Sequence, residues 1–230
     1  MEIGFDLISD LYLEPNDSFN WEGKATSLYC IIAGNISNDS RTIIQTLTHL
    51  SQYYQGVFYV PGQLEFLHKQ SIIDYTELLT AAVNRIPNVA YLYHSVVVIN
   101  GIAIIGVSGW TGMVDESFDN NQLMEASYHD LIYLSKSIEK LQRHLDVKTI
   151  IVVSSSVPSR ELYFKEEPEI VYHQLPLVSA LSSDTESKVT YWLFGNTEKV
   201  VDTTIEGIRY INNCYYKRRP YWAKRITIDS

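Results

Sequence analysis

Five times along this chain a short apolar run stops at a loop of small, polar or turn-forming residues. The loops are Ser9-Asp10-Leu11-Tyr12, Ala33-Gly34-Asn35-Ile36, Pro61-Gly62-Gln63-Leu64-Glu65, Ser154-Ser155-Ser156-Val157-Pro158 and Gly195-Asn196-Thr197-Glu198. Short apolar runs bounded by such residues read as buried strands. In α/β folds the loops at the carboxyl ends of strands converge on the binding crevice. The sequence therefore predicts a site assembled from separate loops on a sheet scaffold.

The residues between these loops fix the rest of the architecture. "IGFDLI" (3–8), "SLYCIIA" (27–33) and "GVFYVP" (56–61) read as strands. Ile43, Leu47, Leu50 and Tyr54 fall on one helical face, with Ser40 as the expected N-cap. Ile72, Tyr75, Leu79, Ala82, Val83 and Ile86 mark a second helix, stopped by Pro87. "VAYLYHSVVVINGIAIIGVSG" (89–109) is β-branched and aromatic, and its central Asn100-Gly101 predicts a hairpin. Leu123, Leu131, Leu134, Ile138, Leu141 and Leu145 predict a long helix from about Asn120 to His144. Strands follow at "VKTIIVVSS", "VTYWLFG", "KVVDTTI", "IRYINNC" and "AKRITID", with a second hairpin corner at Glu206-Gly207. Antiparallel hairpins among helix-linked strands predict one α/β domain over 1–230, built from two packed mixed sheets with helices outside.

Composition excludes several functions. The net charge of -9 argues against bulk attraction to nucleic acid or anionic lipid. Two cysteines, Cys30 and Cys214, are too few for a disulfide scaffold and suit a reducing compartment, though one disulfide stays open. "MEIGFDLIS" does not read as a signal peptide, and no apolar run is long enough to cross a bilayer, so the expectation is a soluble, cytoplasmic protein without a membrane partner. The six histidines, His49, His68, His94, His129, His144 and His173, show no helical metal spacing and read as solvated or structural.

Taken in order, the loop motifs are "SDLYLE" (9–14), "AGNIS" (33–37), "VPGQLEF" (60–66), "GVSGWTGM" (106–113), "SSSVPS" (154–159) and "FGNTE" (194–198). This succession resembles the calcineurin-like metallophosphoesterases, especially their small bacterial and phage members. Those carry S-D-L-H-L-E, A-G-D-I, V-P-G-N-H-E, W-T, T-H-H-x-P-S and G-H-T-H. The segment "GIRYINNCYYKRRPYWAKRITID" takes the place of the family's last hairpin, its N-P-R-G-Y segment and its final strand. The resemblance runs nearly end to end. It implies a four-layer α/β/β/α sandwich of two mixed β-sheets flanked by helices.

The resemblance also implies what has changed. The family holds two metal ions, bridged by an aspartate and a water, that generate hydroxide and clamp phosphate. Asp10 stands at the first aspartate. Tyr12 replaces the first histidine, and Asn35 replaces the bridging aspartate. Gln63 stands for the asparagine ligand and Leu64 for the histidine beside the leaving group. Ser155 and Ser156 replace the histidine pair, and Asn196 and Glu198 replace the last two histidines. Asp10 and Glu198 are the only carboxylates left at these positions; with neutral amides they would hold a hard ion loosely. A serine nucleophile at Ser155 or Ser156 would need a base that the sequence does not name.

The expectation is a pseudoenzyme: no catalytic residues, no cofactor, the two-metal centre lost, and the fold kept for binding another protein. The retromer subunit of this fold is an analogous binding module. A phage protein that engages a host factor would suit the resemblance. The alternatives are a weak residual metal-dependent phosphoesterase, or a phosphate or nucleotide binder without turnover. "YYKRRPYWAKR" (215–225) gathers aromatics and cations of the kind enriched at interfaces. Tyr215, Tyr216, Arg218, Arg219, Tyr221 and Trp222 are therefore the candidate interaction residues. The acidic stretch within 159–187 is a second candidate surface.

Overall fold

Strand alternation places the core before any helix is considered. In β1 (Glu2–Ile8), β2 (Tyr29–Ala33) and β3 (Gly56–Val60), one set of alternate residues is Phe5, Leu7, Ile31, Ala33, Phe58 and Val60. They pack on Ile102 and Ile104 of β6 (Ile102–Val107), Ile151 and Val153 of β7 (Thr149–Ser154) and Leu193 of β8 (Val189–Phe194). Period-two alternation thus gives each strand one face for the layer between the sheets and one for a helix. The structure, a computed structural model, describes residues 2–15, 17, 19–110, 120–162, 177–181, 187–197, 199–215 and 221–229.

The first sheet has the order β11-β1-β2-β3-β4, where β4 is Val89–Tyr91 and β11 is Lys224–Asp229. Its strands are parallel except for β11. The second has the order β5-β6-β7-β8-β10-β9, with β5 Ser95–Ile99, β9 Asp202–Ile205 and β10 Ile208–Asn212. Here β5 and β9 are the antiparallel edges of a parallel centre. Both expected hairpins are present. Asn100 and Gly101 have φ of 48° and 83°, and Glu206 and Gly207 have 49° and 82°, the left-handed pairs that a tight hairpin requires.

Helices α1 (Ser40–Leu50) and α3 (Ile72–Val83) cover the first sheet, and α4 (Asn120–Gln142) covers the second. Ile43, Leu47 and Leu50, with Tyr54 just past the helix, pack with Leu79 and Val83 of α3 on the outer face of β1–β3. Leu134, Ile138 and Leu141 pack on Ala103, Ile105, Ile150 and Val152. The four layers of the expected sandwich are all present. A short α2 (Gln63–Phe66) follows β3 directly. No described helix is long and apolar enough to cross a membrane.

Three local expectations are corrected. Asp39, not Ser40, caps α1: its carboxylate accepts from the Thr42 N–H at 2.8 Å, because a carboxylate at the N-terminus also complements the helix dipole. Helix α3 ends at Val83 with Asn84 as its cap, so Ile86 is buried beyond the helix and Pro87 stops nothing. Leu145 lies past α4 and is 95% exposed. The apolar stretch 89–109 is also not one hairpin. Its first part, β4, pairs with β3 in one sheet, and β5 and β6 belong to the other. The crossing depends on Gly106, where a Cβ would lie 1.9 Å from the Leu92 carbonyl oxygen. Cys30 and Cys214 are both buried thiols outside any disulfide.

Candidate functional site

The parallel strands of both sheets deliver their carboxyl ends to one edge of the sandwich, and the five loops meet there. The Asp10 N–H donates to the Gly34 carbonyl at 3.1 Å, and the Tyr12 N–H to that of Asn35 at 3.0 Å. The Gly195 N–H donates to the Ser154 carbonyl at 3.2 Å. Ser155 and Ser156 both donate N–H groups to the Ser108 carbonyl at 3.1 Å. The Ser108 hydroxyl in turn donates to the Pro61 carbonyl at 2.8 Å, tying the second sheet to the first.

Asp10 sits fully buried at the centre. Its Oδ1 accepts from Asn35 Nδ2 at 2.8 Å, and the Asn196 N–H reaches Oδ1 and Oδ2 at 2.8 and 3.0 Å. Burial pushes the Asp10 carboxyl up to about 7, and these hydrogen bonds pull only part of the way back. Asn35 uses its other end as well: its Oδ1 accepts from the Leu64 N–H at 3.1 Å. One neutral amide thus joins the β1, β2 and β3 loops.

Glu65 is the residue that sequence reasoning passed over. It is buried at 0% exposure, and its carboxylate accepts from the N–H groups of Asn35, Ile36 and Gly62 at 3.2, 2.7 and 2.9 Å. The Tyr59 hydroxyl donates to it at 3.0 Å. Burial raises its carboxyl above the usual range, against the pull of those donors. Its signal was in the sequence, as the acid three residues after Gly62, where a capping carboxylate reaches back to the N-terminus of a helix.

The backbone at the site is unusual. Asp10, Tyr12, Asn35 and Asn196 have φ of 55°, 47°, 57° and 59°. Asp and Asn tolerate this region, but a bulky Tyr is held there by its surroundings. The packing admits no larger residues: a Cβ on Gly62 would lie 2.3 Å from Asn35 Oδ1 and 2.4 Å from Ser155 Oγ. Ser155 and Ser156 are both buried, and Ser156 donates its hydroxyl to the Gly109 carbonyl.

The structure therefore brings Asp10, Tyr12, Asn35, Gln63, Leu64, Ser155, Ser156 and Asn196 together at the strand ends. Glu198 lies outside the described residues. Among the described residues no three His, Cys, Asp or Glu side chains are grouped as a metal ion would need. Of the interaction candidates, Tyr216, Arg218 and Arg219 lie outside the described residues, as does most of the acidic stretch of 159–187. Tyr221 is corrected: it is only 5% exposed and belongs to the core beside Trp21. Its hydroxyl accepts from the Ser9 N–H at 3.3 Å and donates to the Asn213 carbonyl. Tyr215 is half-buried and stands edge-on against Tyr221. Trp222 is 56% exposed.

A second buried cluster adjoins the site. Asp130 of α4, fully buried, accepts from the Gly109 N–H at 2.6 Å and pairs with His94 Nε2 at 2.6 Å. The His94 ring is stacked between Tyr93 and Tyr133. It anchors the loop after β6 to the covering helix.

No family model matches the sequence, and no curated protein matches it. Solved structures do. The phosphopantetheinyl hydrolase PptH from Mycobacterium tuberculosis superposes with a TM-score of 0.64 at 14% identity, over 98% of this chain and 96% of that one. A Staphylococcus aureus protein provisionally assigned as a 5'-nucleotidase, crystallised with alpha-ketoglutarate, gives 0.58 at 11% identity. It is matched over all of this chain, which spans about half (51%) of its length. The chain has a phosphoesterase-like fold.

Proposed function

We propose that this chain keeps a phosphoesterase-like fold as a binding module and does not catalyse phosphoester hydrolysis. The observation that carries the reading is the double hydrogen bond of Asn35. Where the resembling family places a carboxylate between two ions, this chain places a neutral amide that donates to Asp10 and accepts from the Leu64 N–H. The Asp10 carboxylate is itself engaged by Asn35 and the Asn196 N–H. Two divalent ions need several anionic or imidazole donors. Among the described residues the site offers Asp10, amides, serine hydroxyls and a tyrosine, while the buried Glu65 carboxylate is engaged by three backbone N–H groups and the Tyr59 hydroxyl. This set does not fit two ions, and no catalytic step is derived through a metal. The cleft is held together by hydrogen bonds.

The partner in this reading is another protein. Tyr221 packs its hydroxyl on Ser9, next to Asp10, and the adjoining Trp222 is 56% exposed. Aromatics and arginines dominate interface hot spots, and the segment 215–225 supplies both.

Turnover of bis-nitrophenyl phosphate with added Mn²⁺ tests the first half. The expected result is no turnover above that of the Asp10→Ala variant. Turnover that Asp10→Ala abolishes overturns the reading. For the second half, the Arg218→Ala, Trp222→Ala double variant is expected to lose partner capture with its fold intact. Capture that survives this variant but is lost on shortening the 159–187 loop moves the interface to the acidic stretch.

A further inference from the structure

The two sheets have four edges, and three are blunted in ways that discourage pairing with another chain. Strand β11 carries Lys224, Arg225 and Asp229. Strand β9 carries Asp202, paired with Arg209 and Lys224 at 2.8 Å. Strand β4 is only three residues long. Charge and shortness are the usual protections of an edge. The fourth edge, β5, has neither. Its sequence is Ser95-Val96-Val97-Val98-Ile99, with no charge, no proline and Val98 52% exposed. Among the described residues it pairs only with β6.

The hairpin fixes which backbone groups are left over. A two-residue turn at Asn100-Gly101 makes Ile99 and Ile102 a hydrogen-bonded pair, and the pattern alternates from there. Val97 therefore directs its N–H and C=O towards Ile104 of β6. Val96 and Val98 direct theirs away from the sheet. The two residues with free backbone groups thus lie symmetrically about Val97.

We infer that β5 is a self-association edge, pairing antiparallel with β5 of a second copy about a two-fold axis through Val97. In that register Val96 pairs with Val98 of the second copy, and Val98 with its Val96. Each such pair exchanges both of its backbone hydrogen bonds, so every outward group of both residues is satisfied. Val97 meets its own counterpart as the close, non-hydrogen-bonded pair. The strand is neutral throughout, so no like charges meet across the axis. The two six-stranded sheets then continue as one. The symmetry favours a second copy over an unrelated extended peptide, because a closed isologous contact needs the same surface on both sides. The inference is independent of whether the cleft is catalytic.

Sedimentation of the full chain across the micromolar range tests it, with two variants. The wild type is expected to form dimers. Val98→Lys, at an exposed position, is expected to be monomeric with an unchanged circular dichroism spectrum. Val97→Cys is expected to give an oxidised, covalent dimer, because counterparts about 4.5 Å apart between Cα atoms lie within disulfide reach. Val98→Cys, whose counterpart lies two registers away, is expected not to cross-link, and the buried Cys30 and Cys214 do not compete. A wild type that stays monomeric overturns the proposal, as does a dimer that Val98→Lys leaves intact. Absence of the Val97→Cys cross-link overturns it even if Val98→Lys does not fold. So does capture of a different protein at this edge by an otherwise monomeric chain.

Discussion

Asn35 Nδ2 lies 2.8 Å from Asp10 Oδ1 and donates to it, linking the ends of β1 and β2 where each residue holds a left-handed backbone. The contact works only because one partner is neutral. Asn35→Asp would remove the donor and set two carboxylates together in a buried site, where they must share a proton or repel. We expect a loss of about 2–4 kcal/mol at pH 8 and a smaller loss at pH 5, read by urea unfolding. The new carboxylate also restores an anionic donor, so Mn²⁺ should raise the melting temperature of Asn35→Asp but not that of the wild type. An equal rise in the wild type would show that the native site binds the ion without the added carboxylate.

The pH dependence has a defined sign. Asp10 has its carboxyl pushed up to about 7 by burial, and burial also raises Glu65 and Asp130. A group with a raised native pKa stabilises the fold fully below its unfolded value and loses that contribution as pH climbs through the native one. Stability should therefore fall between about pH 4 and pH 7, with Asp10 accounting for about 4 kcal/mol at most. Asp202 acts in the opposite sense but in another window. The Arg209 hydrogen bond holds it down at about 2, so its contribution disappears only as pH drops below 4. Chemical unfolding at pH 5 and pH 8 checks this. Asp10→Asn should flatten the slope, and an equally steep slope in that variant would rule Asp10 out as its source.

Glu65 holds together what the loops cannot hold alone. Glu65→Ala would strand three buried N–H groups and the Tyr59 hydroxyl. We expect about 3–5 kcal/mol of destabilisation, at the upper end for a single substitution. Glu65→Gln keeps one acceptor but turns an NH₂ towards donors, and should cost about 1–3 kcal/mol. A neutral effect of Glu65→Ala would mean that the β2 and β3 loops are set by their backbones instead.

The fold was legible because alternation and turn chemistry are local. Asn100-Gly101 and Glu206-Gly207 announce their hairpins, and Phe5, Leu7, Ile31 and Phe58 announce the layer between the sheets. The switch between sheets was not legible, because Val89–Tyr91 and Ser95–Ile99 are both short, uncharged, strand-forming runs in one apolar stretch. What separates them is the close passage of Leu92 over Gly106, a contact between residues far apart in the chain. The positions of Asp10, Asn35, Ser155 and Asn196 at one edge followed from motif order. The network that joins them did not, since it depends on which end of the Asn35 amide faces Asp10. Tyr221 misled for a related reason. Tyrosine and tryptophan side by side look alike in an aromatic, cationic stretch, and only tertiary packing separates the buried one from the exposed one.

That pair supplies the last prediction. Tyr221 and Trp222 are adjacent, yet Tyr221 is 5% exposed and Trp222 is 56% exposed. Tyr221 accepts from the Ser9 N–H and from Asn213 Nδ2 at 3.1 Å, and it donates to the Asn213 carbonyl. Tyr221→Phe keeps the ring and removes these hydrogen bonds, while the Ser9 N–H keeps the Asn213 carbonyl and Asn213 Nδ2 keeps the Leu7 and Trp222 carbonyls, so it should cost about 1 kcal/mol. Trp222→Ala removes a mostly solvated side chain and should change stability by no more than about 0.5 kcal/mol. Binding should divide the other way. Trp222→Ala should weaken partner capture without moving the unfolding midpoint, whereas Tyr221→Phe should lower the midpoint and leave capture by the folded protein unchanged. If Tyr221→Phe abolished capture at full stability, or Trp222→Ala unfolded the chain, the division of this segment into a buried anchor and an exposed contact would be wrong.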